Sequence, residues 1–255
     1  MQSPVFNSER AKDCTLYYVV ANGFNYYFAL EKNTNHLEVL ALVSFTKTAN
    51  KPDLPAWVSF DYDQEIIVEE PQEHLLVPSD LFSEDQAEGL LKLNSGIETE
   101  QAYRYEYISS ISAYYVSFKK VPGSANTTTS ALLAFAFMPN DKLNRLYIDF
   151  RFNHILITLI KQNELALCNT YTFEHRNDIL YFITAVLQQH ALTPNDVQTY
   201  YSGLLRSNSA LMQLLKEYIP NAVVLRQPAQ FKFHPHFKQV PLHFYFSGLI
   251  QIVCE

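Results

Sequence analysis

Two stretches of the chain share one pattern of apolar and polar positions. Residues 16–45 and 146–173 each contain β-branched and aromatic runs on either side of a polar turn, which reads KNTNH in the first stretch and KQNE in the second. Leu16 aligns with Leu146, an offset of 130 residues, and a gap of two residues at the turn keeps the rest aligned. Two such runs around a polar turn predict a β-hairpin. Their recurrence predicts one fold unit used twice.

The residues between and after these stretches predict shorter elements. Asn22 and Gly23 interrupt the first apolar run and are interpreted as a distortion within one strand. Prolines divide residues 54–78 into two or three short strands, and residues 103–121 have β composition. Apolar residues at helical spacing predict helices at 79–94, 178–190 and 208–218, and short apolar runs predict strands at 197–202 and 222–225 and a short helix from residue 242.

Polar signals set two further boundaries. Ser83, with Gln86 three residues later, predicts a capping box at the start of the first long helix. The Ser/Thr/Asn-rich sequence GSANTTTS, residues 123–130, predicts a linker. The apolar run ALLAFAFM that follows it predicts a short helix, and a buried strand is the alternative because so short a run has no decisive period.

Composition and charge narrow the class of protein. Of the 255 residues, 48% are hydrophobic and 18% charged, which is typical of a globular domain, and the formal net charge is −7. That charge argues against DNA as a partner and disfavours RNA. An apolar run long enough to span a bilayer is missing, so we expect no membrane insertion and a cytoplasmic location. The three cysteines lack a C-x-x-C spacing, which indicates thiols rather than disulfides, and no metal site is predicted.

The order hairpin, strand, helix, strand, helix occurs twice and resembles the duplicated ribonuclease-H-like architecture of the actin, sugar-kinase and Hsp70 superfamily. The whole chain, including the segment from Pro241 onwards, is similar to an uncharacterised Bacteroidetes family with an actin-like ATPase fold. The resemblance implies an α/β fold of two actin-like subdomains with mixed sheets, related by internal duplication. We expect the N-terminal subdomain at residues 1–140 and the C-terminal subdomain at residues 141–255.

In that superfamily a D-x-G turn after a strand wraps a nucleotide phosphate, and paired glycines after a later strand lie against adenosine. The resemblance places Asp149, Arg151 and Asn153 in the first motif and Gly203 in the second, as a candidate vestigial phosphate and nucleotide site. Arg151 replaces the glycine of the turn. A phosphate-binding turn needs small residues so that backbone N–H groups can approach the phosphate, and we therefore expect weak nucleotide binding or none.

The equivalent turn of the first repeat departs from the superfamily as well. The offset of 130 residues puts Val19 and Ala21 where the superfamily has an Asp that orients magnesium and a Gly. Neither residue supplies a carboxylate, and only Ala21 is small. No cofactor is predicted for this chain as a result. ATP with Mg²⁺ belongs only to an alternative hypothesis.

A basic and aromatic segment near the end of the chain is the second candidate site. The residues that form this candidate interaction surface are Arg226, Lys232, His234, His236 and Lys238. Interleaved aromatic and basic residues are compatible with base stacking and phosphate contacts. Alternation of apolar and polar residues in a strand explains the same pattern, with prolines that restrict the segment to a sheet edge.

These observations lead to one function and two alternatives. The leading prediction is a catalytically silent protein of this fold that acts as a binding or scaffolding module for a protein partner. The first alternative is a divergent nucleotide-binding ATPase or kinase, which Asp149 and Gly203 keep open. The second is an RNA-associated factor that would use the C-terminal basic segment. Missing glycines and a missing carboxylate argue against an enzyme without excluding one.

Overall fold

The computed structural model describes residues 1–44, 54–97, 101–139 and 141–252. The strands are β1 Cys14–Val20, β2 Phe24–Glu31, β3 His36–Ser44, β4 Gln64–Glu69, β5 His74–Pro78, β6 Tyr103–Ile108, β7 Ala113–Phe118, β8 Asn126–Thr127, β9 Arg145–Phe150, β10 His154–Lys161, β11 Glu164–Thr172, β12 Gln198–Gly203, β13 Val223–Val224 and β14 Lys232–Phe233. The α-helices are α1 Ser8–Ala11, α2 Glu84–Ser95, α3 Thr128–Ala136, α4 Arg176–Gln189, α5 Ala210–Tyr218 and α6 Phe246–Leu249. Residue 45 and Cys254, which entered the sequence analysis, lie outside the described residues.

The strands form two large mixed sheets and one small sheet. The first large sheet has the order β14-β3-β2-β1-β4-β8, and the second has the order β11-β10-β9-β12-β13. We call the first sheet and the elements packed on it the first lobe, and the second sheet with α4 and α5 the second lobe. The small antiparallel sheet, β5-β7-β6, packs against α2 and lies between β4 and β8 in the chain. The prediction of an α/β fold with mixed sheets is confirmed.

The two predicted repeats fold into the same arrangement of strands. In each large sheet three consecutive strands pair in antiparallel order, β1-β2-β3 in the first sheet and β9-β10-β11 in the second. The next strand, β4 or β12, pairs in parallel with the first of the three. Val20 pairs with Asn25 and Phe150 with Ile155, so the offset of 130 residues holds at both turns. A register shift follows Ala29 in β2 and also occurs at the equivalent place in β10. Origin by internal duplication stays an interpretation of this likeness.

One prediction about the repeats is wrong. The apolar run that begins at Leu16 is two antiparallel strands, and the chain reverses at Asn22 and Gly23 rather than continuing as one distorted strand. Gly23 has φ +78°, a left-handed conformation that glycine adopts without strain. The predicted polar turns do connect strands: Gln162 and Asn163, both at positive φ, reverse the chain between β10 and β11.

Two predictions about local polar signals are also wrong. Ser83 precedes α2 as its N-cap, but its side chain makes no capping hydrogen bond, so the capping box with Gln86 does not form. The predicted linker is not a loose connection, because Thr127, Thr128 and Thr129 are completely buried and the helix α3 begins at Thr128. The apolar run after them is helical, as predicted.

Helices α3 and α6 lie between the two large sheets. On the side of the second sheet, Leu156 of β10 packs with Leu132 of α3 and Phe246 of α6. On the side of the first sheet, a Cβ added to Gly248 of α6 would lie 2.5 Å from the ring of Tyr26. The opposite face of the second sheet carries the largest core, which it forms with α4 and α5. Both lobes therefore share the buried layer that contains α3 and α6.

Residues 226–252 return to the first lobe after the second lobe is complete. Strand β14 pairs in parallel with the beginning of β3 at the edge of the first sheet. Buried side chains of the segment, Phe231, Phe237 and Leu249, pack in the same core as Phe28 of β2. The division into subdomains at residue 140 stays a prediction, and the structure places this segment with the sheet of the first lobe.

Candidate functional site at the junction of the lobes

The turns that follow β1 and β9 touch each other where the lobes join. These turns, residues 21–23 and 151–153, occupy equivalent positions in the two sheets. Asn22 Nδ2 donates a hydrogen bond to Asn153 Oδ1 at 3.1 Å. Gly23 lies so close to Phe152 that a Cβ at position 23 would be 2.8 Å from two atoms of the ring. The two turns are therefore in direct contact with each other.

Arg151 is 2% exposed and ties the second lobe to the first. Its Nε donates to Asp149 Oδ2 at 3.1 Å, within its own sheet. Its Nη1 donates to the carbonyl of Pro71 at 3.1 Å, beyond the end of β4. Its Nη2 donates to Thr129 Oγ1 at 3.0 Å and Thr128 Oγ1 at 3.4 Å, at the start of α3. The guanidinium is therefore surrounded by acceptors from three separate parts of the chain.

Two buried carboxyl groups face this guanidinium. Asp149 accepts a second hydrogen bond, from Ser202 Oγ to Oδ1 at 2.7 Å. Glu70 Oε2 lies 3.7 Å from Arg151 Nε. Burial raises the pKa of Glu70 to about 7, against the attraction of Arg151 and with a contribution from the charge of Asp149. Two buried carboxyl groups thus share one guanidinium, and the raised pKa of Glu70 follows mainly from its burial.

Two buried histidines complete the cluster. His154 Nδ1 lies 3.0 Å from Asn153 Oδ1, and His154 Nε2 lies 3.9 Å from Glu70 Oε1. Burial, and after it the positive charge of Arg151, lower the pKa of His154 to about 3 and that of His74 to about 4. Both rings are therefore uncharged at neutral pH, and the guanidinium is left to balance the carboxyl groups.

Gly203 is needed by the packing of the chain itself. It ends β12 with φ +79°, and a Cβ at this position would lie 2.1 Å from the carbonyl oxygen of Phe150. The next residue, Leu204, donates its N–H to that same carbonyl at 2.7 Å. The close approach that the resemblance assigns to adenosine is made here by the backbone of β9.

The structure therefore brings the candidate nucleotide residues together, and all four contact other parts of the protein. Asp149, Arg151 and Asn153 are hydrogen-bonded within the junction, and Gly203 packs on β9. Val19, at the position of the superfamily's first carboxylate, is completely buried and pairs with β2 and β4. The N–H groups of Ala21 and Arg151 already donate to the carbonyls of Phe24 and His154, and position 19 offers no carboxylate, so these residues do not fit the phosphate and Mg²⁺ contacts that the resemblance implies.

An apolar groove of about 350 Å³ lies beside the touching turns. It is lined by Leu42, Phe150, Arg151, Phe152, Phe173, Leu204, Arg206, Leu211 and Phe244. Side chains from both lobes contribute to it, and Phe152 is 59% exposed. The lining is mostly apolar, and Arg151 and the exposed Arg206 are its charged members.

The C-terminal candidate surface lies elsewhere, at the outer edge of the first lobe. Arg226, His234 and Lys238 line one groove of about 510 Å³, whereas Lys232 and His236 are exposed next to it. The segment lies at a sheet edge as predicted, because β14 is the terminal strand of the first sheet. Only two of its residues form a strand, and a short 3-10 helix from Pro235 to Gln239 follows. The segment is therefore not one continuous strand, although Phe231 and Phe237 are buried as the alternation of apolar and polar residues predicted.

Sequence reasoning missed most partners of Arg151. Glu70 and Pro71 precede the small sheet, and Thr128 and Thr129 were assigned to a linker. Two acidic residues before a proline, and a run of threonines, are common surface patterns and predict no site. The threonines become a signal only once the structure is known. A run of small hydroxyl residues at the start of a helix can be buried when a charged group nearby forms hydrogen bonds with the hydroxyls.

Neither a cluster of metal ligands nor a membrane-spanning helix occurs within the described residues. In the four described ranges, His, Cys, Asp and Glu side chains form no group of three or more that could hold a metal ion. The longest helix there, α4, has 14 residues, fewer than the roughly 20 that a membrane-spanning helix requires.

Comparison with solved structures identifies the fold. A protein with an actin-like ATPase fold and unknown function from Bacteroides thetaiotaomicron VPI-5482 is similar with a TM-score of 0.72 and 15% identity, over 87% of this chain and 94% of that one. The PilM-PilN type IV pilus biogenesis complex is similar with a TM-score of 0.63 and 9% identity, over 96% and 99% of the two chains. The chain therefore has the actin-like ATPase fold, as the resemblance implied.

Sequence comparison identifies the family. No curated protein is significantly similar to this chain in sequence. Residues 27–222 match the family described as protein of unknown function, DUF3822. The match includes more than half of the chain, and the chain belongs to this family.

Proposed function

We propose that this member of the DUF3822 family is a binding or scaffolding module that retains the actin-like ATPase fold without its nucleotide chemistry. The observation that carries the proposal is the guanidinium of Arg151 at the junction, bonded to Asp149, Pro71 and Thr129. A nucleotide would have to separate a buried ion pair, and breaking such a pair costs about 3–5 kcal/mol. The contact between Gly23 and Phe152 would also have to open.

A protein is the partner that this proposal favours. PilM, which shares the fold, is part of a protein complex with PilN, as the name of that structure states. The net charge of −7 disfavours a partner that is itself a polyanion over its whole length. The proposal includes a cytoplasmic location, where the thiols of Cys14 and Cys168 remain reduced.

Thermal melting of the purified protein with ATP, ADP and GTP, with and without Mg²⁺, tests the absence of nucleotide binding. A ligand at about 100 times its Kd stabilises the folded state by about 2.7 kcal/mol, a change that melting detects readily. We expect no shift of Tm with any nucleotide. Inorganic triphosphate serves as the control for non-specific anion binding.

Binding of ATP at low micromolar concentration, with one nucleotide per chain and loss of binding in Asp149→Ala, would overturn the proposal. It would favour the alternative of a divergent ATPase or kinase, in which Asp149 serves the nucleotide instead of Arg151. Calorimetric titration distinguishes this outcome from weak anion binding, because only specific binding saturates at one site per chain.

A further inference from the structure

The C-terminal segment has an uneven distribution of charge. The chain contains 26 acidic residues, but residues 218–254 contain none, whereas Arg226, Lys232 and Lys238 and three histidines lie there. A protein with a net charge of −7 thus carries a continuous stretch without any negative side chain. Charge asymmetry of this kind directs the approach of oppositely charged molecules.

The folded structure leaves these cations without internal partners. Over the residues that the structure describes, no carboxylate lies within ion-pair distance of Arg226, Lys232 or Lys238. Some basic side chains elsewhere are paired, as Arg104 is with Glu69 at 2.6 Å, and the C-terminal segment differs from the rest of the chain because residues 218–254 contain no acidic residue. Fold stability therefore does not account for the three C-terminal cations.

These side chains surround a groove with an apolar floor, which we call the basic groove. It is lined by Arg226, Gln227, Phe233, His234, Pro235, Phe237, Lys238, Val240, Pro241, Leu242 and His243 and has a volume of about 510 Å³. Phe237 is completely buried beneath it, and Phe233 and Leu242 are half-buried. A hydrogen bond between His243 Nε2 and the carbonyl of Leu205, 2.9 Å apart, fixes one wall to the second lobe.

The aromatic rings distinguish between two kinds of negatively charged partner. Single-stranded nucleic acid binds aromatic rings whose faces are exposed for stacking with bases. Here Phe231 is 5% exposed and Phe237 is buried, so these rings form the floor and the core rather than a stacking surface. A peptide with acidic and apolar side chains matches both the exposed cations and the apolar floor.

We propose that the basic groove binds an extended segment of a partner protein in which acidic residues alternate with apolar ones. The acidic side chains pair with Lys232, Lys238 and Arg226, and apolar side chains contact Phe233 and Leu242. Strand β14 lies at the sheet edge, where an extended segment can also use backbone hydrogen bonds. This inference rests on the proposed binding function and gives that function a surface and a partner chemistry.

A phage-displayed library of random peptides of about ten residues, long enough to cross the groove in extended form, is the probe. We expect selected peptides to be rich in Asp and Glu and to contain Leu, Ile or Phe. Fluorescence anisotropy then measures the Kd of the dominant peptide. In Lys232→Glu/Lys238→Glu we expect affinity to fall at least about tenfold, since like charges replace the paired ones.

The matched control is Lys142→Glu/Lys216→Glu, which reverses two exposed lysines elsewhere and changes the net charge equally. It should bind the peptide like the wild type. If the charge-reversed groove variant does not melt cooperatively, Lys232→Gln/Lys238→Gln replaces it. A variant of the dominant peptide, with serine in place of each apolar residue, should bind at least about tenfold more weakly, because the apolar floor loses its contacts.

Three results would overturn the proposal. The selected peptides could lack acidic residues, or both double variants could bind them equally well, which would exclude the basic groove. A single-stranded RNA could bind the groove with the same dependence on Lys232 and Lys238 while no peptide does, which would favour the RNA alternative. None of these results affects the melting test with nucleotides, so failure of the groove and failure of the proposed function can be told apart.

Discussion

Arg151 and Arg226 show two opposite uses of the same side chain. Arg151 is buried at the junction, and its guanidinium donates to a carboxylate, a backbone carbonyl and two hydroxyl groups. Arg226 is exposed on the rim of the basic groove and has no carboxylate partner within the described ranges. The first cation is compensated within the fold, whereas the second has its charge available to another molecule.

This difference decides which region to connect with function. A buried charge without partners would destabilise the fold, and its complete set of acceptors at the junction is explained by stability. An exposed pair adds little to stability, so within the described residues the fold does not require carboxylate partners for the groove cations, and their charge can serve binding. Under the proposed function, the region that the superfamily uses for chemistry serves the packing of the fold, and the cations of the peripheral basic groove serve binding.

The largest effect should come from removing the buried cation. Arg151→Met leaves Asp149 and Glu70 facing each other without a positive charge, and we expect it to lower the free energy of unfolding by about 3–5 kcal/mol. Arg226→Met, the same substitution at the exposed position, should change it by less than about 0.5 kcal/mol. Urea denaturation of both variants measures the difference. Equal effects would remove the contrast between the two arginines.

Close packing at the junction gives the next effect. Gly203→Ala should lower the free energy of unfolding by about 3 kcal/mol, because the left-handed conformation is strained for alanine and its Cβ meets the carbonyl of Phe150. Gly123→Ala is the matched control: φ is +80° there, and no atom lies within 4 Å of the added Cβ. It should cost only about 1 kcal/mol. Comparable values from chemical denaturation would mean that Gly203 is needed for its conformation alone.

Titration of Glu70 provides a smaller effect that sharpens the account of the junction. Its pKa is about 7 in the folded protein against 4.5 ordinarily, so the folded state binds this proton more tightly than the unfolded state does. The contribution of Glu70 to stability therefore falls as pH rises from about 4.5 to about 7 and is constant above that range. Relative to the wild type, Glu70→Gln should gain about 2–3 kcal/mol between pH 5 and pH 8.

The comparison of variants isolates Glu70 from its neighbours. His74 and His154 act in the opposite direction, because their lowered pKa values make the folded state lose stability as pH falls below about 6.5. Both are present in wild type and variant, along with Asp149 and Arg151, so their contributions largely cancel in the difference. Denaturation at several pH values gives the free energy of unfolding of both proteins. If that free energy depends on pH in the same way for wild type and Glu70→Gln, the raised pKa of Glu70 is contradicted.

The smallest effect is expected at the groove. Lys232→Glu/Lys238→Glu changes the net charge from −7 to −11, because each reversal subtracts two charges. We expect the free energy of unfolding to stay within about 0.5 kcal/mol of wild type, because exposed unpaired lysines contribute little and salt screens the remaining repulsion. Denaturation in about 0.15 M salt measures it. A loss comparable to that of Arg151→Met would show that the groove cations stabilise the fold.

The sequence predicted those features of the fold that depend on the local pattern of apolar and polar residues. The apolar runs and the polar turns gave the strands of both repeats, and the offset that aligns Leu16 with Leu146 also describes their hydrogen-bond registers. The reversal at Gly23 was missed because a glycine within an apolar run fits a bulge as well as a turn. A bulge and a turn differ in whether the flanking strands pair with each other, and that pairing is a feature of the folded structure rather than of the local sequence.

The sequence predicted which residues of the candidate site lie together, but it did not predict what they contact. Asp149, Arg151, Asn153 and Gly203 do lie together, since strands β9 and β12 are neighbours. The acceptors of Arg151 are as many as 80 residues away in sequence, at Pro71, and no periodicity reports such a contact. A charged residue in a turn looks solvated in the sequence, and only the position of the other lobe makes it buried.

The return of residues 226–252 to the first lobe has a consequence for synthesis on the ribosome. The core that contains Phe28 also requires Phe231, Phe237 and Leu249, which emerge only after the entire second lobe has been made. Until then one face of the first sheet, rich in Tyr and Phe, lacks its cover. The lobe that is translated first is therefore the lobe that is completed last, and nascent chains released before residue 226 should require a chaperone to remain soluble.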